Sequence, residues 1–479
     1  MSEMRQKTSI VLIGGALFIA YLLLRRPDYL TNPKMLGAMI IAEIVLAALC
    51  IYRKIFFGIL VLSFLFAGTG VPFEPTFLHA RWYVLGLGAV AGLAIYMKDR
   101  RHYFNTFHLV AIFCVLSALV SSMVSRYPEE AFLKTTSLLM LFVYCGSGAR
   151  IAVPIINPEK FFGGILIGCE ALTYLSAVSY FVVRWGFYGS ANSLGVVMGV
   201  VIVPLTLWGL LTANTVNERR RRGFALLVAM LLLMSSLSRA SIGAAVLSSL
   251  ALCIALRKYR LIFKGAAVAV LFAIAAVMIV PAAEEAPKLS ESESVTSLFL
   301  YKGKQKGDFW ASRKGPWSQT WDVIKDHPWF GSGYGTSLTG DDLTQVDVRY
   351  QGSHLDTRLI REHGNSYLAI TEWVGLVGVI PFYFLVVLTA LNVRKAFVRL
   401  YYEQNVYSPI VPAAAVVLAG LMHAAFEDWM FAVGYYVCVF FWAMAFILVD
   451  MLHTSAVIYW IGEPTAAHEP QQFAPAAGQ

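Results

Sequence analysis

Charge is what this sequence has least of. Asp, Glu, Lys and Arg together supply 14% of the 479 residues, against about a quarter in soluble domains, while hydrophobic residues reach 58%. That balance excludes an ordinary soluble fold and points to a membrane protein. The six cysteines (Cys50, Cys114, Cys145, Cys169, Cys253, Cys438) lie in or beside apolar runs, and none forms a CxxC pair. They read as small buried hydrophobes, with neither a disulfide framework nor a thiolate metal site. No HExxH or similar spacing of His, Cys and carboxylates occurs, so neither a metal nor any other cofactor is expected. Gly-x-Ser-x-Gly is missing, which removes the serine-hydrolase elbow. The alternating pattern of barrel strands is missing too, which leaves helices as the spanning element. No internal repeat is evident, and this weakens a reading as an inverted-repeat transporter. The net charge of +9 invites a nucleic-acid partner. The basic residues instead form short clusters between apolar runs, as a positive-inside bias would place them, so no nucleic acid is expected.

What is present is a series of apolar runs, enough for an all-α polytopic protein of about 12–14 transmembrane helices. N-terminal helices occupy 1–189, and a further helical region follows at 190–281. One large hydrophilic loop covers 282–365, C-terminal helices cover 366–452, and 453–479 is expected to be a disordered tail rich in Ala, Pro and Gln. Arg53-Lys54, 98–101, 219–222, 257–260 and Arg394-Lys395 fall on one side if every run crosses, and that side is the cytoplasm. Both termini are then cytoplasmic, and the large loop faces outward. The run 223–256 would be about 50 Å long as one helix, too long for a hydrocarbon layer of about 30 Å. With basic clusters at both ends it must cross twice, turning at Arg239 near the outer interface. A guanidinium at that depth is a functional candidate.

The outward loop holds three informative stretches. In Ser312-Arg313-Lys314-Gly315-Pro316-Trp317, Pro316 suits a helix N1 position, and Trp317, Trp321 and Ile324 recur at helical spacing. Arg313 is then either a solvated charge before a surface helix or a ligand contact. In HPWFGSGYGT, Gly331, Gly333 and Gly335 allow a plain turn or a nest of N–H groups around a phosphate. No Lys-Ser/Thr follows, so it is not a nucleotide-binding loop. In Arg361-Glu362-His363-Gly364-Asn365-Ser366-Tyr367, Asn365 or Ser366 would cap the next helix. The positive end of that helix is expected to keep His363 neutral, the form a general base needs. A solvated loop histidine is the alternative. His423, Glu427 and Asp428 lie in or near apolar runs, where proton or ion sites and structural pairing are both open readings.

Taken in order, SLSRAS (236–241), SR–PW–T, HPWFGSGYGT and EHGNSYL resemble the O-antigen ligase and polymerase superfamily of bacterial envelope enzymes. GSANSLGVVMG (189–199) is similar to an Asn-containing helix start upstream in that family. The resemblance covers roughly 190–450 and implies a metal-independent, inverting, membrane-embedded glycosyltransferase. It would move a glycan from undecaprenyl pyrophosphate to a hydroxyl at the periplasmic face of the inner membrane. The acceptor in the family is a glycan, lipid A–core sugar or a protein hydroxyl. Carried over, the resemblance implies that Arg239 and Arg313 bind the pyrophosphate and that His363 is the general base. Arg361, Asn365, Gly331, Gly333 and Asn192 would bind substrate. Gly364 separates His363 from Asn365, where the family commonly has a His-Asn pair. A polymerase of the same superfamily is the neighbouring reading, and a lipid-linked glycan flippase or transporter is the competitor from a different class.

Overall fold

The computed structural model describes residues 20, 31–51, 53–71, 73–98, 104–152, 158–183, 187–263, 265, 311–337 and 363–460. The apolar runs at 8–24 and 263–281 lie almost wholly outside these, and Arg361 lies outside them too. Among the described residues every apolar run has become a helix, and there is no strand. Seven helices are long and apolar enough to cross a membrane, and Phe56–Ala67, Arg239–Ala255 and Ile410–His423 are shorter apolar helices. The protein is therefore an all-α, multi-pass membrane protein.

In chain order the helices are α1 (Pro33–Ile51), α2 (Phe56–Ala67), α3 (Glu74–Lys98), α4 (Thr106–Val124) and α5 (Pro128–Val143). Then come α6 (Pro158–Ala177), α7 (Ala191–Leu211), α8 (Val216–Ser235), α9 (Arg239–Ala255) and α10 (Ala311–Asp326). The chain closes with α11 (Ser366–Glu403), α12 (Ile410–His423) and α13 (Tyr436–Trp460). The 223–256 run breaks at 236–238, so α8 and α9 are separate. α13 continues to Trp460, beyond the point at which the sequence suggested a disordered tail; residues 461–479 are not described. Pro316 sits inside α10, not at its first position, because the helix already begins at Ala311. At that position a proline removes one ladder hydrogen bond and crowds the carbonyl four residues before it.

Interhelical hydrogen bonds gather the connections at two ends. At the end carrying the basic clusters, Trp208 Nε1 donates to the Val406 carbonyl (2.9 Å) and Gln404 Nε2 to that of Ala255 (3.0 Å). At the other end Ser125 Oγ donates to the Ser332 carbonyl (3.0 Å), and the Ser366 amide donates to that of Ala424 (2.8 Å). The turns before α9 and α11, the segment after α10 and the segment between α12 and α13 all meet there.

The feature that shapes this end is a break in α11. Gly375 has φ +71° and ψ 177°, a conformation open essentially to glycine alone. A break at membrane depth leaves backbone groups to be satisfied by other protein groups. The segment after α10 does this. The Ser332 and Gly333 amides donate to the carbonyls of Glu372 (2.9 Å) and Trp373 (3.1 Å). In return the Leu376 and Val377 amides donate to the carbonyls of Pro328 (2.7 Å) and Trp329 (3.3 Å). From α4, Ser121 Oγ donates to the Trp373 carbonyl and Ser117 Oγ to that of Gly378.

Candidate active site

The outward loop predicted from sequence is not a free solvent loop where it is described. Both of its described parts pack onto the helices. Trp317 of α10 donates its Nε1–H to the Gly364 carbonyl (3.3 Å), clamping the turn that carries His363. Asn365 caps α11, its Oδ1 accepting from the amides of Tyr367 (2.8 Å) and Leu368 (3.1 Å). Capping is what the sequence foresaw for this residue.

His363 is 1% exposed. Its Nδ1 lies 3.1 Å from Asp428 Oδ2, which also accepts the His363 backbone N–H (2.8 Å). Its Nε2 lies 3.3 Å from Glu372 Oε1 and 3.0 Å from Ser337 Oγ. The edge of the ring meets Trp373, with centroids 5.5 Å apart. Burial pulls the imidazole down, but the hydrogen bonds and charges of Asp428 and Glu372 outweigh it and hold the group at about 9. The helix dipole argued for a neutral ring, and the structure reverses that expectation. Two carboxylates in direct contact act more strongly than the partial charge of a helix end. Partial burial would raise the Asp428 carboxyl, yet the imidazole beside it holds it below its ordinary value.

Arg313 lies next to this histidine. Its Nη2 pairs with Glu427 Oε1 at 2.6 Å, with both side chains mostly buried. Its guanidinium also rests against Gly364, where a β-carbon would come within 2.6 Å of Nη1. Adjacent residues Glu427 and Asp428 thus hold Arg313 and His363 respectively. The Ser366 hydroxyl fixes their backbone, donating to the Glu427 carbonyl (2.6 Å) and accepting from the Met430 amide (3.1 Å).

Arg239 opens α9, the positive end of a helix and an unfavourable place for a cation unless an anion is to be met there. The turn before it is strained, since Leu237 has φ +50°. Its shape is kept by a chain of hydroxyls. Ser238 Oγ and Ser241 Oγ lie 2.7 Å apart, and Ser241 Oγ lies 3.0 Å from His423 Nε2. Trp429 Nε1 donates to His423 Nδ1 at 2.8 Å. An indole N–H only donates, so Nδ1 carries no proton, and Nε2–H donates to Ser241. The segment holding Arg313 and His363 therefore also steadies the turn of Arg239. On the far side α7 approaches closely: β-carbons at Gly195 and Gly199 would come within 2.5 Å of Ser238 and 2.4 Å of Ser241. Asn192, exposed one turn before Gly195, belongs to the same neighbourhood.

The glycine segment does not present a phosphate nest. The Gly331 amide donates to the His327 carbonyl (3.2 Å), and the Gly333 amide is committed to the break in α11. Its glycines are needed for the break, because a β-carbon at Gly331 would lie 2.5 Å from the Glu372 carbonyl oxygen. Lys134 donates to the Gly335 carbonyl at 2.5 Å, and Glu170 pairs with Arg221 at 3.0 Å. These two serve structure. Sequence reasoning missed Glu372 and Ser337. Only the lone carboxylate of Glu372 within an otherwise apolar stretch of α11 could have signalled the first.

A comparison with curated proteins found no match. Residues 223–383 match the family model for O-antigen ligase. The matched stretch contains Arg239, Arg313, the segment that closes the α11 break, His363 and Glu372. By this match, residues 223–383 of the chain are similar to the O-antigen ligase family.

Proposed function

We propose that this protein transfers a glycan from undecaprenyl pyrophosphate to an acceptor hydroxyl, at the periplasmic face of the bacterial inner membrane. The observation that carries the reading is the pairing of Arg313 and His363 by adjacent carboxylates, on a segment that also steadies the turn of Arg239. A cation and an ionisable imidazole placed side by side suit a reaction in which one group leaves with negative charge and another loses a proton.

In this reading the pyrophosphate takes the place of Glu427 as partner of Arg313, with Arg239 as the second clamp. A guanidinium offers a planar fork to phosphate oxygens, and two of them favour the leaving group as charge develops on its departing oxygen. His363 takes the acceptor proton from its neutral form, the minority form at neutral pH for a ring held at about 9. Direct attack inverts the anomeric centre, and no covalent intermediate is required. The guanidinium groups supply the charge stabilisation for which other transferases use a metal. The basic end lies in the cytoplasm by the positive-inside rule, with both termini on that side, so the site end faces the periplasm.

The deciding experiment incubates purified protein with an undecaprenyl-pyrophosphate-linked glycan and, in separate arms, lipid A–core, a second lipid-linked glycan or an acceptor protein. Product in the first arm makes it a ligase, in the second a polymerase, in the third a protein glycosyltransferase. Movement of the lipid-linked glycan across a bilayer with no transfer in any arm would instead establish a flippase.

A further inference from the structure

The transfer reading employs Arg239, Arg313 and His363 and leaves Glu372 without a role. Glu372 lies within a transmembrane helix, and its side chain is 0% exposed. A carboxylate in such a place is unfavourable unless it is partnered. Its Oε1 is 3.3 Å from His363 Nε2, on the side of the ring away from Asp428 at Nδ1. At that separation a ring nitrogen and a carboxylate oxygen turn lone pairs toward each other unless a proton lies between them. The contact therefore holds one proton, on Nε2 or on Oε1. With the proton on Nε2 the ring is an imidazolium and takes no more. With it on Oε1 the ring is neutral, Nδ1–H donates to Asp428, and the Nε2 lone pair accepts the Oε1–H, becoming available to another hydroxyl when that hydrogen bond is exchanged.

We propose that Glu372 is the proton-sharing partner of His363: it positions the ring from the side opposite Asp428 and accepts the Nε2 proton, so that the ring becomes a base. This inference rests on the glycan-transfer reading for its chemistry. Ser337 Oγ, 3.0 Å from the same Nε2, marks the place where a hydroxyl meets the ring. In the transfer step the acceptor O–H bond breaks and its proton joins Nε2. The acceptor oxygen bonds to the anomeric carbon, and the bond from that carbon to the pyrophosphate oxygen breaks, its electron pair leaving with the pyrophosphate. One proton then passes from the pair to water, restoring the resting state. The charged groups around the ring are Asp428 from the segment between α12 and α13, Glu372 from α11, and Arg313 from α10 with its partner Glu427.

The test uses full-length protein labelled with ¹⁵N-histidine, the His363 signals being identified by their loss in His363→Gln. The protonation midpoint of the His363 ring is expected to fall by about one pH unit or more in Glu372→Gln, a tenfold change in the protonation equilibrium. Glu372→Asp should retain part of the wild-type value. In the transfer assay the acid limb of kcat/KM should move in the same direction in Glu372→Gln. An unchanged midpoint in folded Glu372→Gln overturns the proposal, and so does a uniform loss of transfer with the acid limb unmoved. If the midpoint falls but no protein, wild type included, transfers glycan, the proton-sharing pair stands and the transfer reading is what fails.

Discussion

At the scale of single residues, the chemistry is set by who touches His363 and the two arginines. In the transfer assay His363→Ala is expected to lose about 10²–10⁴-fold in rate while still binding the lipid-linked donor, the range for loss of a general base. Arg239→Lys keeps the charge but loses the planar fork, and should also impair transfer strongly. Full activity in His363→Ala would remove the base assignment. The charge state of the same histidine sets a stability window. Its folded value of about 9 exceeds the ordinary 6.5, so its contribution is complete below about pH 6.5 and is lost as pH rises toward 9. Asp428 gives the mirror effect: its contribution is present above its ordinary 3.8 and is lost as pH falls through its depressed folded value. Thermal unfolding of the purified protein should show a falling midpoint between about pH 6.5 and 9. His363→Gln should flatten that slope, and an equal slope in both proteins would deny the link. These contacts were hidden in the sequence for a simple reason. His363 and Asp428 are 65 positions apart and Arg313 and Glu427 are 114 apart, so no local pattern joins them.

At the scale of elements, the broken α11 governs the site. The two halves exchange hydrogen bonds with the segment 328–333, so that segment and Glu372 are placed by one set of contacts. Gly375→Ala is expected to destabilise the protein by about 1–3 kcal/mol from backbone strain alone. The added β-carbon would also lie 2.4 Å from the backbone of Trp329, which increases the loss. Thermal unfolding beside Gly163→Ala, where a β-carbon meets nothing within 4 Å, would isolate the effect. Equal midpoints in the two variants would mean that the break is not needed. Apolar periodicity located α11 but could not show the break, because a glycine in an apolar helix has the same hydropathy whether the helix is whole or interrupted. The glycines of 331–335 were legible as special. Their purpose was not, since amides that cradle a phosphate and amides that patch a helix look alike in sequence.

At the scale of the whole molecule, orientation follows from the two ends. Ser318→Cys, at an exposed position of α10, should react with an impermeant thiol reagent in intact cells, and Asn217→Cys beside the basic cluster should react only after permeabilisation. The reverse pattern would place the site in the cytoplasm and end the periplasmic reading. Among the described cysteines Cys114, Cys145, Cys169, Cys253 and Cys438 are all buried, and a Cys50→Ser background removes the sixth.

The sequence by itself determined the solvent and therefore the fold class. A chain this poor in charge must satisfy its backbone inside lipid, and its long apolar runs allow only helices to do so. It also determined the helix positions within the described residues and the cap at Asn365. Tertiary structure alone decided that Glu427 and Asp428 hold Arg313 and His363, that Glu372 faces the ring, and that the glycine segment completes a helix instead of a phosphate site. The physical reason is range. Hydropathy and capping act within a few residues, whereas an imidazole's charge is set by any carboxylate within about 4–6 Å, however distant in the chain.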